Sequence, residues 1–259
     1  MINCSSCKLC IEACPRWLLT LEDNKITCSD SKKCIACNHC KAVCPKYSSD
    51  SPTEIFYSRR STRSFKNLPV ERTLLTEIID VGRYAPHGAN RHPFRYFIIQ
   101  SPIKMGLLKK LTLESMSNQV ESMKKSIDQQ NQLPVRVRII KTFIDLWEKI
   151  LLLSNRNNKD VIFFDAPSLV ICYGNPIASL HPDMEAGLEC MQMLLKAETM
   201  RLGTCLCGHF TAIANNDDEI KNFLGIGRKY KVFFSFVVGY PSVKFLRSVE
   251  RKESKLRWM

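Results

Sequence analysis

Apolar positions change their spacing several times along the chain, and each spacing predicts an element. Leu74, Leu75 and Ile78 recur at helical intervals and predict a helix over about 71–85, which Pro86 ends. Runs that are mostly apolar predict three strands, over 94–99, 168–173 and 231–239. Further helices are predicted at 51–58, at 103–160 as two helices broken near Pro134, at 182–202 and at 216–224.

Two of these helices carry additional signals. The first begins with the capping box Ser51-Pro52-Thr53-Glu54. The helix over 182–202 is apolar nearly all round and is closed by Gly203, so we expect it in the centre of a domain or dimer. Alternating helices and strands with one central buried helix indicate an α+β or α/β sandwich. The tail after Pro241 is basic and is expected to be extended.

Eight of the 13 cysteines form two matching runs, Cys-x2-Cys-x2-Cys-x3-Cys-Pro, at 4–15 and 34–45. Two-cluster bacterial ferredoxins have this run, in which three cysteines bind one [4Fe-4S] cluster and the fourth crosses to the other. The predicted ligand sets are therefore Cys4, Cys7, Cys10 and Cys44 for one cluster, and Cys34, Cys37, Cys40 and Cys14 for the second.

Zinc and disulfides are the alternatives for these cysteines. A zinc site needs only four thiolates, whereas eight are present here in two matching quartets. A disulfide framework requires an oxidising compartment, and Met1-Ile2-Asn3 leaves no room for a signal peptide before Cys4. We therefore expect iron–sulfur clusters and a reducing cytoplasm.

The other five cysteines are expected to be reduced thiols: Cys28, Cys172, Cys190, Cys205 and Cys207. Cys205 and Cys207 are expected to pack as small apolar residues, and Cys28 is a candidate exposed thiol without a visible role. No apolar run approaches the ~18 residues of a membrane span, so no membrane association is expected.

The net charge of +13 raises the question of nucleic-acid binding. Basic residues are spread along the chain without a dense Lys/Arg block or an interleaved aromatic repeat. A solvated basic surface with anion binding is the better interpretation, and no nucleic acid is expected as a partner.

A polar, turn-rich stretch at 47–52 predicts a boundary between two domains. The segment 1–50 would be a two-[4Fe-4S] ferredoxin-type domain. It has few apolar side chains, so its clusters must supply much of its stability. The segment 51–259 would be the larger domain that contains the predicted sandwich.

Four segments of the larger domain, in order, resemble motifs of the nitroreductase family of FMN flavoproteins. They are Arg59-Arg60-Ser61-Thr62-Arg63-Ser64-Phe65, Pro86-His87-Gly88-Ala89-Asn90-Arg91-His92-Pro93-Phe94, Leu202-Gly203-Thr204-Cys205-Leu206-Cys207-Gly208, and Gly239-Tyr240-Pro241 followed by Glu250-Arg251-Lys252. The resemblance covers about 55–258. It implies an α+β fold in which a ferredoxin-like domain precedes a nitroreductase-type sandwich with a central buried helix.

The resemblance also implies a homodimer with FMN at the interface and assigns the following roles. Arg59, Arg60, Ser61 and Arg63 would hold the phosphate, ribityl chain and pyrimidine edge of FMN, with Arg251 as a late phosphate ligand. His87, Gly88 and Asn90 would reach the flavin of the partner subunit, and Cys207 and Gly208 would offer backbone amide to flavin N5. No catalytic side chain is assigned.

Three positions depart from the family motif, with His87 for Ser, His92 for Gln and Phe94 for Trp. The two histidines introduce titratable groups, so a proton-donating role is one interpretation. The simpler interpretation, which we favour, is that each histidine forms a hydrogen bond within its loop.

These features together predict an FMN- and iron–sulfur-dependent oxidoreductase. Its acceptor would be a nitroaromatic, quinone or similar conjugated electrophile, and the clusters would relay single electrons to or from FMN. The donor would be NAD(P)H or an external ferredoxin. The alternatives are a reductive dehalogenase or enoyl-type reductase of the same fold, and an electron carrier or redox sensor without small-molecule turnover. A basic iron–sulfur protein that binds nucleic acid is the least favoured.

Overall fold

The structure, a computed structural model, describes residues 4–46, 55–129, 134–157, 160–249 and 251–259. Its N-terminal segment contains α1 (Leu9–Glu12), β1 (Leu19–Glu22), β2 (Lys25–Cys28), a 3-10 turn (Ser31–Lys33) and α2 (His39–Val43). The β1–β2 hairpin was not predicted. Its two-residue turn, Asp23-Asn24, has positive φ angles of 48° and 58°, which Asp and Asn adopt more readily than most residues and which match the twist of a tight hairpin.

The larger segment is built on one four-stranded antiparallel sheet in the order β3-β4-β6-β5. Its strands are β3 (Phe94–Ile99), β4 (Ser168–Gly174), β5 (Gly203–Leu206) and β6 (Lys231–Gly239). The predicted strands over 94–99, 168–173 and 231–239 are thus confirmed, β4 being one residue longer. The central strands β4 and β6 are covered on both faces, which explains why they are apolar runs and do not alternate.

The helices of this segment lie on both faces of the sheet. They are α3 (Ile55–Ser58), α4 (Arg72–Asp80), α5 (Pro102–Gln129), α6 (Pro134–Asn157), α7 (Pro182–Thr199), α8 (Gly208–Asn215) and α9 (Asp218–Phe223). Successive residues of β4 point to opposite faces, so Leu169 and Ile171 pack with α5, α6, α8 and α9, while Val170 and Cys172 pack with α4 and α7. The result is the expected α+β sandwich.

The structure corrects the ends of two predicted helices. The helix over 71–85 ends at Asp80 and continues as a 3-10 turn at Val81–Tyr84, where Gly82 packs closely against α7. The helix over 182–202 ends at Thr199, because the chain must turn to enter β5. The capping box at 51–54 lies outside the described residues.

Among the described residues, the long helix α7 is covered on only one side. Ala186, Cys190 and Met193 are buried against the sheet, whereas Leu188 and Met191 on the other side are 38% and 41% exposed. This helix is therefore central to the domain and also leaves apolar side chains exposed on its other side. Within the described ranges, no helix is both long and apolar enough to cross a membrane.

Candidate functional site

The two cysteine runs have the same backbone conformation. In each run the residues flanking the second cysteine have a positive φ: Ser6 (52°) and Lys8 (59°) in the first, Ala36 (52°) and Asn38 (56°) in the second. Residues other than glycine adopt this left-handed conformation at a cost in free energy. Its repetition at matching positions therefore indicates that both cysteine runs require the same backbone turn. Both cysteine runs thus share the same pair of turns around their second cysteine.

The fourth cysteine of each run lies beside the other run. Burial raises the pKa of the Cys10 thiol, and the neighbouring Cys40 and Cys44 thiols contribute to this rise. Burial likewise raises the pKa of Cys40, and Cys14 is among the thiols that contribute. The proximity of Cys44 to Cys10 and of Cys14 to Cys40 fits the predicted exchange of ligands between two clusters.

One buried arginine, with further arginines near it, follows the cysteine module (the described residues 4–46) in the chain. Arg60 is only 5% exposed; its Nη1 donates to the Arg59 carbonyl at 2.7 Å, while its Nε and Nη2 make no hydrogen bond. Burial lowers the pKa of Arg60, and Arg251 and Arg59 lower it further. A buried guanidinium with unused donors beside two more cations fits a bound phosphate group.

The cysteine module reaches the same arginines through His39. Burial lowers the pKa of His39 to about 4, and the next contributors are Arg63, Arg60, Arg251 and Arg59. The ring of His39 lies 5.6 Å from that of Phe245, and its Nδ1 is buried without a hydrogen-bond partner. His39 was not predicted from the sequence as a site residue.

The basic tail connects the two parts of the chain. The Leu246 amide donates to the Ala42 carbonyl at 3.1 Å, and the Arg247 guanidinium donates to the Cys44 carbonyl at 2.7 Å. Arg251 approaches the Cys37 carbonyl at 3.5 Å. A predicted phosphate ligand, Arg251, therefore also contacts a turn that carries predicted cluster ligands.

A cavity of about 480 Å³ lies between the cysteine module and the sandwich, a size typical of small-molecule sites. From the module it is lined by Glu12, Cys14, Pro15, Arg16, Trp17 and Ile35. From the sandwich it is lined by Arg63, Phe143, Leu146, Trp147, Ile150, Asp160, Val161, Phe164, Cys205, Leu206, Gly208, His209 and Ala212. A predicted cluster ligand, Cys14, thus shares one cavity with four residues of the predicted flavin motifs, which are Arg63, Cys205, Leu206 and Gly208.

Helix α6 fixes the module at this cavity. Lys149 donates to the Arg16 carbonyl at 2.8 Å, and its ammonium lies 5.7 Å from the centre of the Trp17 ring. Both contacts hold the chain that follows Cys14.

The cavity wall contains a histidine that the sequence did not indicate. The Trp147 Nε1–H donates to His209 Nδ1 at 3.0 Å, so the neutral ring carries its proton on Nε2. Burial lowers the pKa of His209, with Arg16 and Arg63 adding to the effect. His209 is therefore neutral near pH 7. Its position directly after Gly208 is the only signal that could have indicated it.

Cys207 and Gly208, which were both predicted to offer a backbone amide to the flavin, differ in their position relative to the cavity. The Cys207 amide donates to the Ser235 carbonyl at 2.9 Å, and its buried thiol packs as the sequence predicted. Gly208, which begins α8, lines the cavity directly. Of this pair, Gly208 is the stronger candidate for an amide facing a ligand.

The loop at 86–93 does not line this cavity. His87 Nδ1 donates to the Ala85 carbonyl at 2.8 Å, Gly88 donates to Glu185 at 2.9 Å, and His92 Nε2 donates to Asn90 Oδ1 at 2.7 Å. Each histidine thus forms a hydrogen bond within its loop, as the simpler interpretation predicted. A flavin contact from His87, Gly88 or Asn90 would have to be made to another subunit.

Comparisons with known proteins identify the family and the fold. The model of the nitroreductase family matches residues 57–240, and that of a 4Fe-4S dicluster domain matches residues 3–48. Over 50 residues, 19% of this chain, the sequence is 38% identical to 4-nitrobenzoate reductase of Pseudomonas putida, and the match spans 22% of that protein. The chain thus matches about a fifth of the length of this curated relative.

Solved structures share the fold at low sequence identity. A nitroreductase with bound FMN from Desulfitobacterium hafniense is 18% identical with a TM-score of 0.56, covering 78% of this chain and 96% of that one. An iodotyrosine deiodinase bound to FMN and 3-iodo-L-tyrosine is 18% identical with a TM-score of 0.56, covering 79% of this chain and 97% of that one. Because the family model covers well over half of the sequence, the chain belongs to the nitroreductase family of flavin oxidoreductases and carries an N-terminal 4Fe-4S dicluster segment.

Proposed function

We propose that the protein is an FMN- and iron–sulfur-dependent oxidoreductase that reduces nitroaromatic, quinone or similar conjugated electrophiles. Two [4Fe-4S] clusters would relay electrons to or from FMN. When bound, FMN can exchange single electrons with a cluster and two electrons with an organic acceptor, which is the chemistry that such a relay requires.

The observation that carries this proposal is the shared cavity. Cys14 and Ile35, from the two cysteine runs, line it together with Arg63 and Gly208 from the flavin motifs. The cluster held by Cys34, Cys37, Cys40 and Cys14 would therefore be the one next to the flavin. A distance of roughly 14 Å or less between that cluster and the flavin is the expectation for a working relay.

The arginine cluster supplies the proposed FMN phosphate site. Arg60 has two unused buried donors, and Arg59 and Arg251 are close enough to lower its pKa. A phosphate would satisfy these donors and neutralise a concentration of positive charge. Ser61 and Arg63 continue from the same segment toward the ribityl chain and the pyrimidine edge.

A homodimer is part of the proposal. The outer face of α7 and the preceding turn expose Ile177, Leu180, Met184, Leu188 and Met191. A contiguous apolar face of this kind is typical of a subunit interface. The loop that contains Asn90 would then approach the flavin of the partner subunit.

The proposal is tested by anaerobic turnover with 4-nitrobenzoate and a quinone, comparing NADH with a reduced ferredoxin as donor. We expect acceptor-dependent oxidation of the reduced enzyme with at least one class. If neither class of acceptor reoxidises the reduced FMN, the proposal is wrong, and a role as electron carrier or redox sensor would take its place.

A halogenated phenol belongs in the same experiment. The iodotyrosine deiodinase shares the fold, and release of halide without turnover of nitroaromatics would favour the reductive dehalogenase alternative.

A further inference from the structure

A group of three potential metal ligands lies apart from both the cysteine runs and the cavity. The loop at 86–93 provides His87 and His92, and helix α7 provides Glu189. One nitrogen from each histidine and one oxygen of the carboxylate all lie within 4.8 Å of one another. The two imidazole rings have their centres 4.2 Å apart.

Each histidine is oriented through one ring nitrogen. His87 Nδ1 donates to the Ala85 carbonyl at 2.8 Å, and His92 Nε2 donates to Asn90 Oδ1 at 2.7 Å. In the neutral rings the lone pairs are therefore on His87 Nε2 and His92 Nδ1. Metal-binding histidines are commonly held in this way, with one nitrogen donating to an oxygen and the other available for the metal.

The available atoms are buried, and none of them makes an aligned hydrogen bond. His87 Nε2, His92 Nδ1 and Glu189 Oε2 make no hydrogen bond, and the side chains of His87 and Glu189 are only 0% and 3% exposed. Glu189 Oε1 lies 2.6 Å from His87 Nε2, but the contact lacks hydrogen-bond alignment. Buried polar atoms are normally paired, so His92 Nδ1 and Glu189 Oε2, unpaired beside the close His87–Glu189 contact, indicate a missing partner.

We propose that His87, His92 and Glu189 form a zinc site. Two imidazoles and one carboxylate are a ligand set that Zn²⁺ adopts, with a fourth position left for water or another ligand. The ion would use both free nitrogens and would neutralise the buried carboxylate.

The site would fasten the loop at 86–93 to helix α7. Three residues of this loop, Ala89, Asn90 and His92, have positive φ angles of 54°, 52° and 44°, so the loop is held in a costly conformation. A metal that joins His87 and His92 to Glu189 would stabilise it. The role assigned to the metal is structural, and the inference does not depend on the proposed reaction.

The test uses the full chain after its clusters and FMN have been loaded with iron, sulfide and flavin. The protein is dialysed against Zn²⁺, and zinc and iron are measured by mass spectrometry together with zinc K-edge X-ray absorption. We expect about one zinc per chain with nitrogen and oxygen neighbours at about 2.0–2.1 Å, and no sulfur neighbours at about 2.3 Å. A sulfur shell would assign the zinc to the cysteines and overturn the proposal, as would the absence of bound zinc.

Three variants complete the test. Glu189→Gln and His92→Gln keep the side-chain size close to the original and should each weaken zinc binding at least about tenfold. Glu185→Gln is the control, because Glu185 lies one turn earlier on α7 and its role as acceptor for the Gly88 amide is preserved in Gln. Iron content should be unchanged in all three, because none of these residues lies in the cysteine runs. Retention of zinc in Glu189→Gln at the wild-type affinity would contradict the site, and His92→Gln decides the matter if Glu189→Gln does not fold.

Discussion

The indole nitrogen of Trp147 donates a hydrogen bond to Nδ1 of His209 at 3.0 Å, on the wall of the cavity that Cys14 also lines. The bond joins α6 to the start of α8 and fixes the neutral tautomer with the proton on His209 Nε2. A neutral donor at the cavity wall is therefore part of the structure near pH 7.

This relationship predicts a specific dependence of stability on pH. Burial lowers the pKa of His209 in the folded protein from its ordinary 6.5, so below pH 6.5 the unfolded chain binds more protons. His209 should cost no stability above about pH 6.5 and should destabilise the fold progressively as the pH falls below it. In His209→Gln, whose side-chain carbonyl can still accept from Trp147, the free energy of unfolding should fall less steeply between about pH 6.5 and 5.5. Urea denaturation of the loaded protein measures this, and equal slopes would show that His209 does not titrate as described.

Arg60 is predicted to bind the phosphate of FMN. Replacing it by Met removes charge-assisted hydrogen bonds worth about 1.5–3 kcal/mol each, so the Kd for FMN should rise at least about tenfold. The same change removes an unpaired buried charge and should stabilise the flavin-free protein.

Fluorescence titration with FMN and with riboflavin tests the assignment, because riboflavin lacks the phosphate. Riboflavin should bind Arg60→Met and the wild type equally well. Arg95→Met, at an exposed position on β3, is the matched control and should bind FMN normally. An equal loss of riboflavin and FMN binding would mean that Arg60 acts on the fold and not on the phosphate.

Cys14 is predicted to be a cluster ligand, in contrast to Cys28. Cys14→Ser should remove the cluster nearer to the cavity, because Cys14 is a predicted ligand of that cluster alone. The loss of one of two clusters removes roughly half of the iron. Cys28→Ser, at an exposed position on β2, should keep the full iron content. Iron analysis and low-temperature EPR of the reduced proteins measure the difference, and equal iron in both variants would refute the ligand assignment.

The remaining thiols are predicted to differ in reactivity. Burial raises the pKa of Cys190 to about 12 and that of Cys172 well above its ordinary value, so neither forms the reactive thiolate at pH 8. Cys28 is exposed and should be alkylated by iodoacetamide first. Peptide mass spectrometry of the anaerobic, cluster-loaded protein tests this order. Early modification of Cys190 would mean that the face of the sheet covered by α7 opens readily.

The outer face of α7 is predicted to form the dimer. Leu188→Asp would bury a carboxylate at the interface and should shift the protein to the monomer, with weaker FMN binding. Leu107→Asp, on the exposed face of α5, is the control and should leave the mass unchanged. Sedimentation velocity gives the result, and a monomeric wild type would contradict the proposed interface.

The sequence predicts those parts of the protein whose signal is local. The strands at 94–99 and 231–239 and the break near Pro134 are confirmed because apolar runs and Pro act within a few residues. The four-residue strand β5 was missed because so short a segment shows no periodicity, and the β1–β2 hairpin was missed for the same reason.

The candidate site shows the same limit. The cysteine runs and the arginine segment carry their own spacing, whereas His209 depends on Trp147, 62 residues away, and His39 depends on arginines from two distant segments. The pairing of His87 with Glu189 likewise follows from the packing of a loop on α7. Only the folded chain brings these groups together.

Rapid freeze-quench of the fully reduced enzyme mixed with a nitroaromatic tests the central claim most directly. EPR follows the clusters, and absorbance in a parallel stopped-flow experiment follows the flavin. We expect the clusters to be oxidised on the time scale of turnover, and we expect Cys14→Ser to abolish this oxidation while its flavin still reacts with the acceptor. Clusters that stay reduced through repeated turnovers of the wild type would contradict the relay.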